Sequence, residues 1–162
     1  MSISTKKVLP CLWFDNRIEE AVNFYVALFG GKILSTSYYN EAGPLPKGTV
    51  LTMMFTLHDE EFMALNGGQQ VEYTEAVSFV VKCKDQAEVD KYWNALTADG
   101  GAEIDCSWCK DKYGLRWQIV PELLLRYVTD KDAERAKRAM QAMFKMKKID
   151  IAAIEKAVAA HE

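Results

Sequence analysis

The residues with the clearest chemical potential form the short segment Cys106-Ser107-Trp108-Cys109. Two cysteines separated by two residues can act as a thiol redox pair or as half of a zinc site. Redox chemistry is favoured when the first cysteine begins a helix, whose dipole lowers the thiol pKa. Here a predicted strand leads into a polar turn, and the remaining cysteines, Cys11 and Cys83, are isolated. A structural role is therefore favoured for both thiols, and a redox role stays open as an alternative.

The chain has only two histidines, His58 and His161. His58 falls in a predicted hairpin turn and His161 lies next to the last residue of the sequence. Neither is expected to meet a nucleophile and a carboxylate in a catalytic triad. The acidic clusters at 59–61 and 130–132 are explained by a solvated turn and by helix capping. The catalytic residues therefore stay unknown.

The composition of the 162 residues excludes several classes of protein. The apolar share of 49% and the charged share of 27% are typical of a globular chain. A net charge of -3 argues against nucleic-acid binding, which needs surplus Lys and Arg. No apolar run approaches the roughly 20 residues of a membrane span, and residues 1–7 show no secretory signal. We predict a cytoplasmic protein with no nucleic-acid or membrane partner and with free thiols.

Two segments with apolar residues at 3.6-residue spacing predict helices over residues 15–29 and 85–99. Asn16 with Glu19, and Asp85 with Glu88, are candidate capping pairs at their starts. Both helices end in a Gly-Gly pair, and their starts at 15 and 85 lie seventy residues apart. This period indicates a duplicated unit.

Runs rich in Val, Leu, Phe and Cys predict strands on both sides of each helix. They are residues 7–14, 32–39, 49–57 and 61–65 around the first helix, and residues 76–83, 102–108 and 115–120 around the second. Two further helices are predicted, one capped by Thr129 or Asp130 and one beginning at Asp150. We predict one domain over 1–162, comprising a first module at about 6–70, a second at about 71–127 and a helical extension at about 128–162.

Several separated motifs resemble the PhnB-like family of the vicinal-oxygen-chelate (glyoxalase/bleomycin-resistance/dioxygenase) superfamily, a family sometimes labelled as a 3-demethylubiquinone-9 3-methyltransferase domain. They are residues 9–15 (LPCLWFD), 20–25 (EAVNFY), 29–31 (FGG), 62–68 (FMALNGG) and 110–121 (KDKYGLRWQIVP). The resemblance implies an α+β fold in which paired βαβββ modules form a cupped mixed sheet, followed by two extra C-terminal helices. It also implies a homodimer with a ligand pocket in the cup.

The resemblance also raises two kinds of cofactor, a methyl donor and a divalent metal ion. A methyltransferase of the usual kind needs a glycine-rich loop between a strand and a helix, whereas both Gly-Gly pairs here follow helices. The superfamily's metal-dependent enzymes hold a divalent ion with His, Glu or Gln side chains on four strands. The resemblance carries these positions onto Pro10, Phe62 or Ala64, Ala76 and Gln118. Only Gln118 can ligate, so we predict no metal and no other cofactor.

The resemblance and the alternation of strand residues together predict a mainly apolar pocket in the cup. Its predicted lining residues are Leu12, Phe14, Phe62, Asn66, Ser78, Trp108, Arg116 and Gln118. The predicted function is the binding of an unidentified small organic molecule by a PhnB-like protein, with the reaction unassigned. The alternatives are a metal-dependent lyase, isomerase or dioxygenase of the superfamily, and a thiol redox protein that uses Cys106 and Cys109.

Overall fold

The computed structural model describes residues 6–159. The chain divides into two compact units, residues 1–72 and 73–162, a boundary close to that predicted between the two modules. Assignment of the whole chain to one domain stays a prediction. No helix within residues 6–159 is long and apolar enough to cross a membrane.

Each unit is built on one four-stranded mixed sheet. The elements of the first unit are β1 (Cys11–Phe14), α1 (Ile18–Phe29), β2 (Gly31–Tyr38), β3 (Val50–Leu57) and β4 (Glu60–Asn66). Those of the second are β5 (Phe79–Cys83), α2 (Gln86–Thr97), β6 (Ala102–Glu103), β7 (Trp108–Lys110), β8 (Arg116–Pro121), α3 (Glu122–Val128), α4 (Ala133–Met143) and α5 (Ile151–Ala159).

The two sheets have the same topology. Their strand orders are β1-β4-β3-β2 and β5-β8-β7-β6, and in each the first strand of the unit pairs in parallel with the last. The other pairs are antiparallel. This repetition confirms the predicted α+β fold of two βαβββ modules.

The core of the first unit lies between α1 and one face of its sheet. The stripe of α1 that is buried comprises Ile18, Ala21, Val22, Tyr25 and Phe29. The ring centroids of Phe14 and Tyr25 are 6.3 Å apart. On the same sheet face, Phe55 and Phe62 stack with centroids 5.5 Å apart. Aromatic packing therefore holds the helix on this face.

The second unit has two apolar layers. One is formed by α2, whose buried residues Val89, Tyr92, Trp93 and Leu96 repeat the helical spacing predicted from the sequence. The other is a cluster at the C-terminal helices, made of Val120, Leu124, Ala139, Ile149, Ile154 and Val158. Because Val120 belongs to β8, the predicted C-terminal extension completes the core of this unit.

Two of the predicted helix caps are present in the structure, and the cap predicted for α1 is not. Asp85 caps α2 as predicted, because its Oδ1 accepts the Glu88 N–H at 2.9 Å. Asp150 likewise accepts the Ala153 N–H at 3.0 Å. The Asn16–Glu19 box is wrong, because α1 begins at Ile18 and Arg17 occupies its N-cap position.

The cap predicted for the helix after residue 129 is also wrong. Asp132 caps α4 by accepting the N–H groups of Glu134 and Arg135. Thr129 instead lies at the C-terminal end of α3, a short helix that was not predicted from the sequence. Its hydroxyl donates to the Leu125 carbonyl at 2.7 Å, so it acts at the end of one helix and not at the start of the next.

The predicted strand over residues 102–108 is interrupted. Only Ala102–Glu103 and Trp108–Lys110 are strands, and Cys106 and Ser107 adopt φ values of 58° and 73°. Their N–H groups donate to the carbonyls of Met146 and Lys147 at 2.8 and 2.9 Å. The backbone here pairs with the segment between α4 and α5, which the local sequence does not reveal.

Candidate functional site

The strongest candidate site lies on the face of the second unit's sheet that is opposite its buried core face. Strand alternation and cross-strand register place on it Ser78, Val80, Trp108, Lys110, Arg116 and Gln118, a set that we call the second-sheet face. The opposite face buries Cys109, Trp117 and Ile119 in the core. Half of the residues predicted to line the ligand pocket, namely Ser78, Trp108, Arg116 and Gln118, therefore lie together.

A polar pair lies across the second-sheet face. The Gln118 amide nitrogen donates to the Ser78 hydroxyl at 2.8 Å in a part-buried position. Trp108 is the cross-strand neighbour of Gln118, and Val80 is its neighbour on the other side. A hydroxyl and an amide thus lie beside an indole ring and a valine that is 53% exposed. Such a combination suits a small organic molecule with both apolar and polar parts.

Arg116 supplies a positive charge to this face. Its Nε donates to the Glu75 carboxylate at 2.8 Å, and its guanidinium also donates to the Gly114 carbonyl. The hydrogen bond from Arg116 lowers the pKa of Glu75. The side chain of Arg116 is only 11% exposed, whereas that of Glu75 is 60% exposed. Arg116 is therefore held in place, while its carboxylate partner faces solvent.

Two charged residues beside Arg116, Lys110 and Glu75, were not predicted from the sequence. Lys110 lies opposite Arg116 in the register and shares its face. The alternation from Trp108 could have identified Lys110. No comparable signal links Glu75 to Arg116, because the two are 41 residues apart and Glu75 precedes β5.

Asp111 shapes the turn that presents Arg116. It is 1% exposed, and its Oδ1 accepts the N–H groups of Tyr113 and Leu115 at 2.9 and 3.0 Å. Its Oδ2 accepts the indole N–H of Trp117 at 2.8 Å. One buried carboxylate thus ties the turn between β7 and β8 to the start of β8. This network gives a physical role to the Lys110–Pro121 motif, which carries part of the family resemblance.

The other predicted pocket residues lie elsewhere. Leu12, Phe14, Phe62 and Asn66 are between 1% and 7% exposed and belong to the core of the first unit. Phe14 meets Tyr25 of α1, so this sheet face is the one covered by the helix. Alternation then places Cys11 and Trp13 on the opposite face. The resemblance predicted that these four residues face the ligand pocket. In the structure they lie on the sheet face that the apolar stripe of α1 covers.

Asn66 has a structural environment. Its amide nitrogen donates to the Val50 carbonyl at 3.0 Å and to the Asn16 side chain at 3.3 Å. Its side-chain oxygen accepts the Gly68 N–H at 2.9 Å. These bonds satisfy a buried amide and join the end of β4 to the loop that follows it.

The positions that the resemblance assigns to metal ligands do not form a donor set, and those on β4 lie on the sheet face that α1 covers. Phe62 and Ala64 are buried apolar side chains, and Ala76 and Pro10 have no ligating atom. The amide nitrogen of Gln118 already donates to Ser78. Within residues 6–159, no three His, Cys, Asp or Glu side chains form a group that could hold a metal ion.

The cysteine pair lacks the setting of a reactive thiol. Burial raises the pKa of Cys109 to about 12, and its side chain is fully buried. Cys106 is half-buried in the turn that pairs with Met146, and no helix begins there. All four cysteines are free thiols. His58 is exposed in its turn at φ 50°, and His161 lies outside the described residues.

Comparison with known proteins supports the same fold and adds a family. The family model described as 3-demethylubiquinone-9 3-methyltransferase matches residues 6–120. A PhnB protein structure from Bacillus cereus is 35% identical, with a TM-score of 0.64, over 72% of this chain and 99% of that one. Protein PA1353 from Pseudomonas aeruginosa is 19% identical, with a TM-score of 0.59, over 73% and 98% of the two chains.

A more distant likeness concerns the fold alone. The fosfomycin resistance protein FosX from Listeria monocytogenes is 12% identical, with a TM-score of 0.57, over 79% of this chain and all of that one. No curated protein matches the sequence. The family match, the identity to the Bacillus cereus protein and the repeated βαβββ topology agree. The chain therefore belongs to the PhnB-like 3-demethylubiquinone-9 3-methyltransferase family of the glyoxalase (vicinal-oxygen-chelate) superfamily.

Proposed function

We propose that this protein binds a small organic molecule on the second-sheet face and does so without the superfamily's metal site. One observation carries the proposal: Ser78, Trp108, Arg116 and Gln118 share the sheet face that α2 leaves uncovered. Polar groups that converge beside an aromatic ring are typical of ligand sites. The proposal leaves the reaction unassigned, because this group of residues contains no general base or activated nucleophile.

The charges on this face indicate the class of ligand. Arg116 is positioned by the Gly114 carbonyl, and its partner Glu75 is an exposed carboxylate. A carboxylate on a ligand can take the place of Glu75, because guanidinium and carboxylate groups match in geometry. Lys110 adds a second positive charge nearby. We propose a small organic anion with a flat apolar part that packs on Trp108.

The two alternative functions receive less support. A metal-dependent lyase, isomerase or dioxygenase needs several ligands, and the corresponding positions supply one neutral amide from Gln118. A thiol redox protein needs a thiol whose pKa is lowered, whereas burial raises the pKa of Cys109. We also propose that the protein is cytoplasmic and acts as a homodimer, without nucleic-acid or membrane partners.

Native mass spectrometry of protein purified without chelators or an affinity metal is the first test. We expect a subunit that carries no stoichiometric divalent ion. We also expect a fraction of the subunits to retain a small organic adduct. One divalent ion per subunit would contradict the proposal, because ligands that the superfamily positions do not supply would then have to exist. Benzoate and other small aromatic carboxylates serve as probes where no adduct is retained.

Variants locate the binding face. The amide and indole resonances of the native protein are followed by NMR during titration with benzoate. We expect the Trp108 indole and the Gln118 side-chain amide to shift. Arg116→Gln should weaken binding by about tenfold or more, because it removes the charged partner. Asn94→Ala, an exposed change on α2, is the control and should bind normally. Equal binding by Arg116→Gln and Asn94→Ala would rule out this face.

A further inference from the structure

Three sulfur-containing side chains lie in one row across the sheet of the first unit. Cys11 of β1 is the register partner of Met63 of β4, and Met63 is also the register partner of Met54 of β3. Alternation from the buried residues Leu12 and Ala64 places the row on the sheet face opposite α1. We call Cys11, Met63 and Met54 the sulfur row.

The spacing of the sulfur row allows its three sulfur atoms to meet around one ion. Adjacent strands lie about 4.8 Å apart, so the row spans about 10 Å with Met63 at its centre. A methionine carries its sulfur on a flexible, unbranched chain, and Met54 can therefore lean along the row towards Met63. Cys11 is shorter, but it is the immediate neighbour of Met63 on the other side. An ion above Met63 is thus within reach of all three side chains.

The sulfur row is accessible, unlike the other sulfur atoms nearby. Cys11 is exposed, and its thiol forms no disulfide or hydrogen bond within residues 6–159. Met54 and Met63 are half-buried. Met53, the neighbour of Met54 along β3, is only 3% exposed and lies in the core. An ion in solvent can therefore reach the sulfur row, whereas the core methionine is closed to it.

The sulfur row has an apolar neighbour on the same sheet face. Trp13 and Leu65 are register partners two residues further along β1 and β4. The indole N–H of Trp13 donates to the Gln69 carbonyl at 2.9 Å, which holds the ring in place. These two side chains keep water from one side of the row. Exclusion of water favours coordination by sulfur over hydration of the ion.

The chemistry of these ligands selects the class of ion. Thiolate and thioether groups favour soft ions such as Cu(I), whereas Mg²⁺, Ca²⁺ and Mn²⁺ prefer oxygen ligands. Zn²⁺ in proteins is held by cysteine, histidine and carboxylate side chains, and a site with two thioethers does not suit it. The sulfur row contains one thiol and two thioethers and therefore matches a soft monovalent cation.

We infer that the sulfur row binds one Cu(I) ion through the Cys11 thiolate and the thioethers of Met63 and Met54. Binding replaces the thiol proton of Cys11, which leaves to solvent, so one proton is released for each ion bound. Copper stays Cu(I), and no sulfur is oxidised. The ligands differ from the positions that the resemblance assigns to metal, and the site is independent of the second-sheet face.

Anaerobic competition with the Cu(I) chelator bicinchoninate tests the inference on the full chain. Ascorbate keeps the copper reduced, and the absorbance of the chelator complex reports how much Cu(I) the protein withdraws. We expect the native protein to withdraw one Cu(I) per chain. Cys11→Ser should weaken binding by about 100-fold or more, because it removes the anionic ligand. Met63→Leu and Met54→Leu should each weaken binding by about tenfold, because each removes one thioether.

Two matched variants serve as controls. Met53→Leu changes the next methionine along β3, whose side chain lies in the core, and should alter the affinity by less than about twofold. Cys106→Ser removes a half-buried thiol of the second unit and should have an equally small effect. Circular dichroism checks that each variant is folded.

A second measurement observes the thioethers directly. The methionine methyl groups are labelled with ¹³C and followed by NMR during titration with Ag(I), a soft monovalent ion that does not change its oxidation state here. We expect the methyl signals of Met54 and Met63 to shift until one ion is bound per chain. The methyl signal of Met53 should move much less, because its side chain lies on the opposite face of the sheet.

Three results would overturn the inference. A native chain that withdraws no Cu(I) from bicinchoninate would refute the site. Unchanged binding by Cys11→Ser would show that the ion is held elsewhere. If Met63→Leu and Met54→Leu bind as tightly as Met53→Leu, the ion is held by a single thiol and the proposed coordination is wrong. The benzoate titration on the second-sheet face is unaffected by any of these outcomes.

Discussion

Asp111 shows how one buried residue prepares the candidate site. Its carboxylate accepts three N–H groups, from Tyr113, Leu115 and the Trp117 indole. A buried carboxylate with several donors is stable, whereas a buried charge without them is costly. The turn that it organises carries Gly114, whose carbonyl accepts from Arg116. Asp111 therefore acts on the site by positioning and has no contact with a ligand in the proposed arrangement.

The first prediction concerns this carboxylate. Asp111→Asn replaces one acceptor oxygen by an NH2 group, which must face an N–H donor that is already buried. We expect the free energy of unfolding to fall by about 3 kcal/mol. The change is measured by urea denaturation at neutral pH. Asp99→Asn is the control, because Asp99 is exposed at φ 52°, which asparagine tolerates.

One outcome would contradict the stabilising role of Asp111. If Asp111→Asn and Asp99→Asn unfold at the same urea concentration, the network does not stabilise the fold. If only Asp111→Asn lowers the free energy of unfolding, the NMR signal of the Trp117 indole should also change, because the indole N–H donates to the Asp111 carboxylate.

At the scale of elements, the C-terminal helices depend on a contact with α2. The Gln86 side chain donates to the Ile149 carbonyl at 3.0 Å and accepts the Ile151 N–H at 2.9 Å. Gln86 thereby bonds two backbone groups at the start of α5, the Ile149 carbonyl and the Ile151 N–H. Lys148 adds an ion pair with Asp90 at 2.8 Å. The helix then buries Ile154 and Val158 in the core cluster.

The second prediction follows from this contact. Gln86→Ala should lower the free energy of unfolding by about 2 kcal/mol, because it removes two hydrogen bonds to backbone groups. Hydrogen exchange should accelerate most in α5, since this helix loses its anchor at the N-terminal end. Asn94 lies on α2, as Gln86 does, and is exposed, so Asn94→Ala serves as the control. Uniform acceleration over the unit would show that the contact is not specific to α5.

At the scale of the whole molecule, duplication has preserved topology while the side chains differ. Both units repeat the strand order, yet the positions that the resemblance assigns to metal ligands are occupied by Pro10, Phe62 or Ala64, Ala76 and Gln118. We therefore expect the family fold to be retained here without a bound divalent ion. The second-sheet face carries the polar groups on which the proposed binding of an organic ligand rests.

The third prediction tests this change across the whole chain. A divalent ion at 100 times its dissociation constant stabilises a native protein by about 2.7 kcal/mol, which raises Tm by several degrees. We expect about 1 mM Mn²⁺ to change the Tm of this protein by less than about 1 °C. Protein dialysed against EDTA is the reference. A saturable rise of several degrees at one ion per chain would restore the metal-dependent alternative.

Sequence patterns alone were enough to predict every helix except α3, the repeated module and the family. Apolar residues at 3.6-residue spacing identify α1 and α2, because the period is a property of the local chain. The same holds for the capping of α2 by Asp85, which reaches only to Glu88. Motifs repeated at fixed spacing likewise indicate a shared topology without any knowledge of distant contacts.

Which face of each sheet is covered depends on three-dimensional packing and could not be predicted from the sequence. Alternation separates Leu12 and Phe14 from Cys11 and Trp13, but either set can face a helix until the position of α1 is known. The ion pair of Arg116 with Glu75 and the break at Cys106 depend on residues about forty positions away. Local patterns contain no information about such partners, because chain folding brings them together and sequence spacing does not.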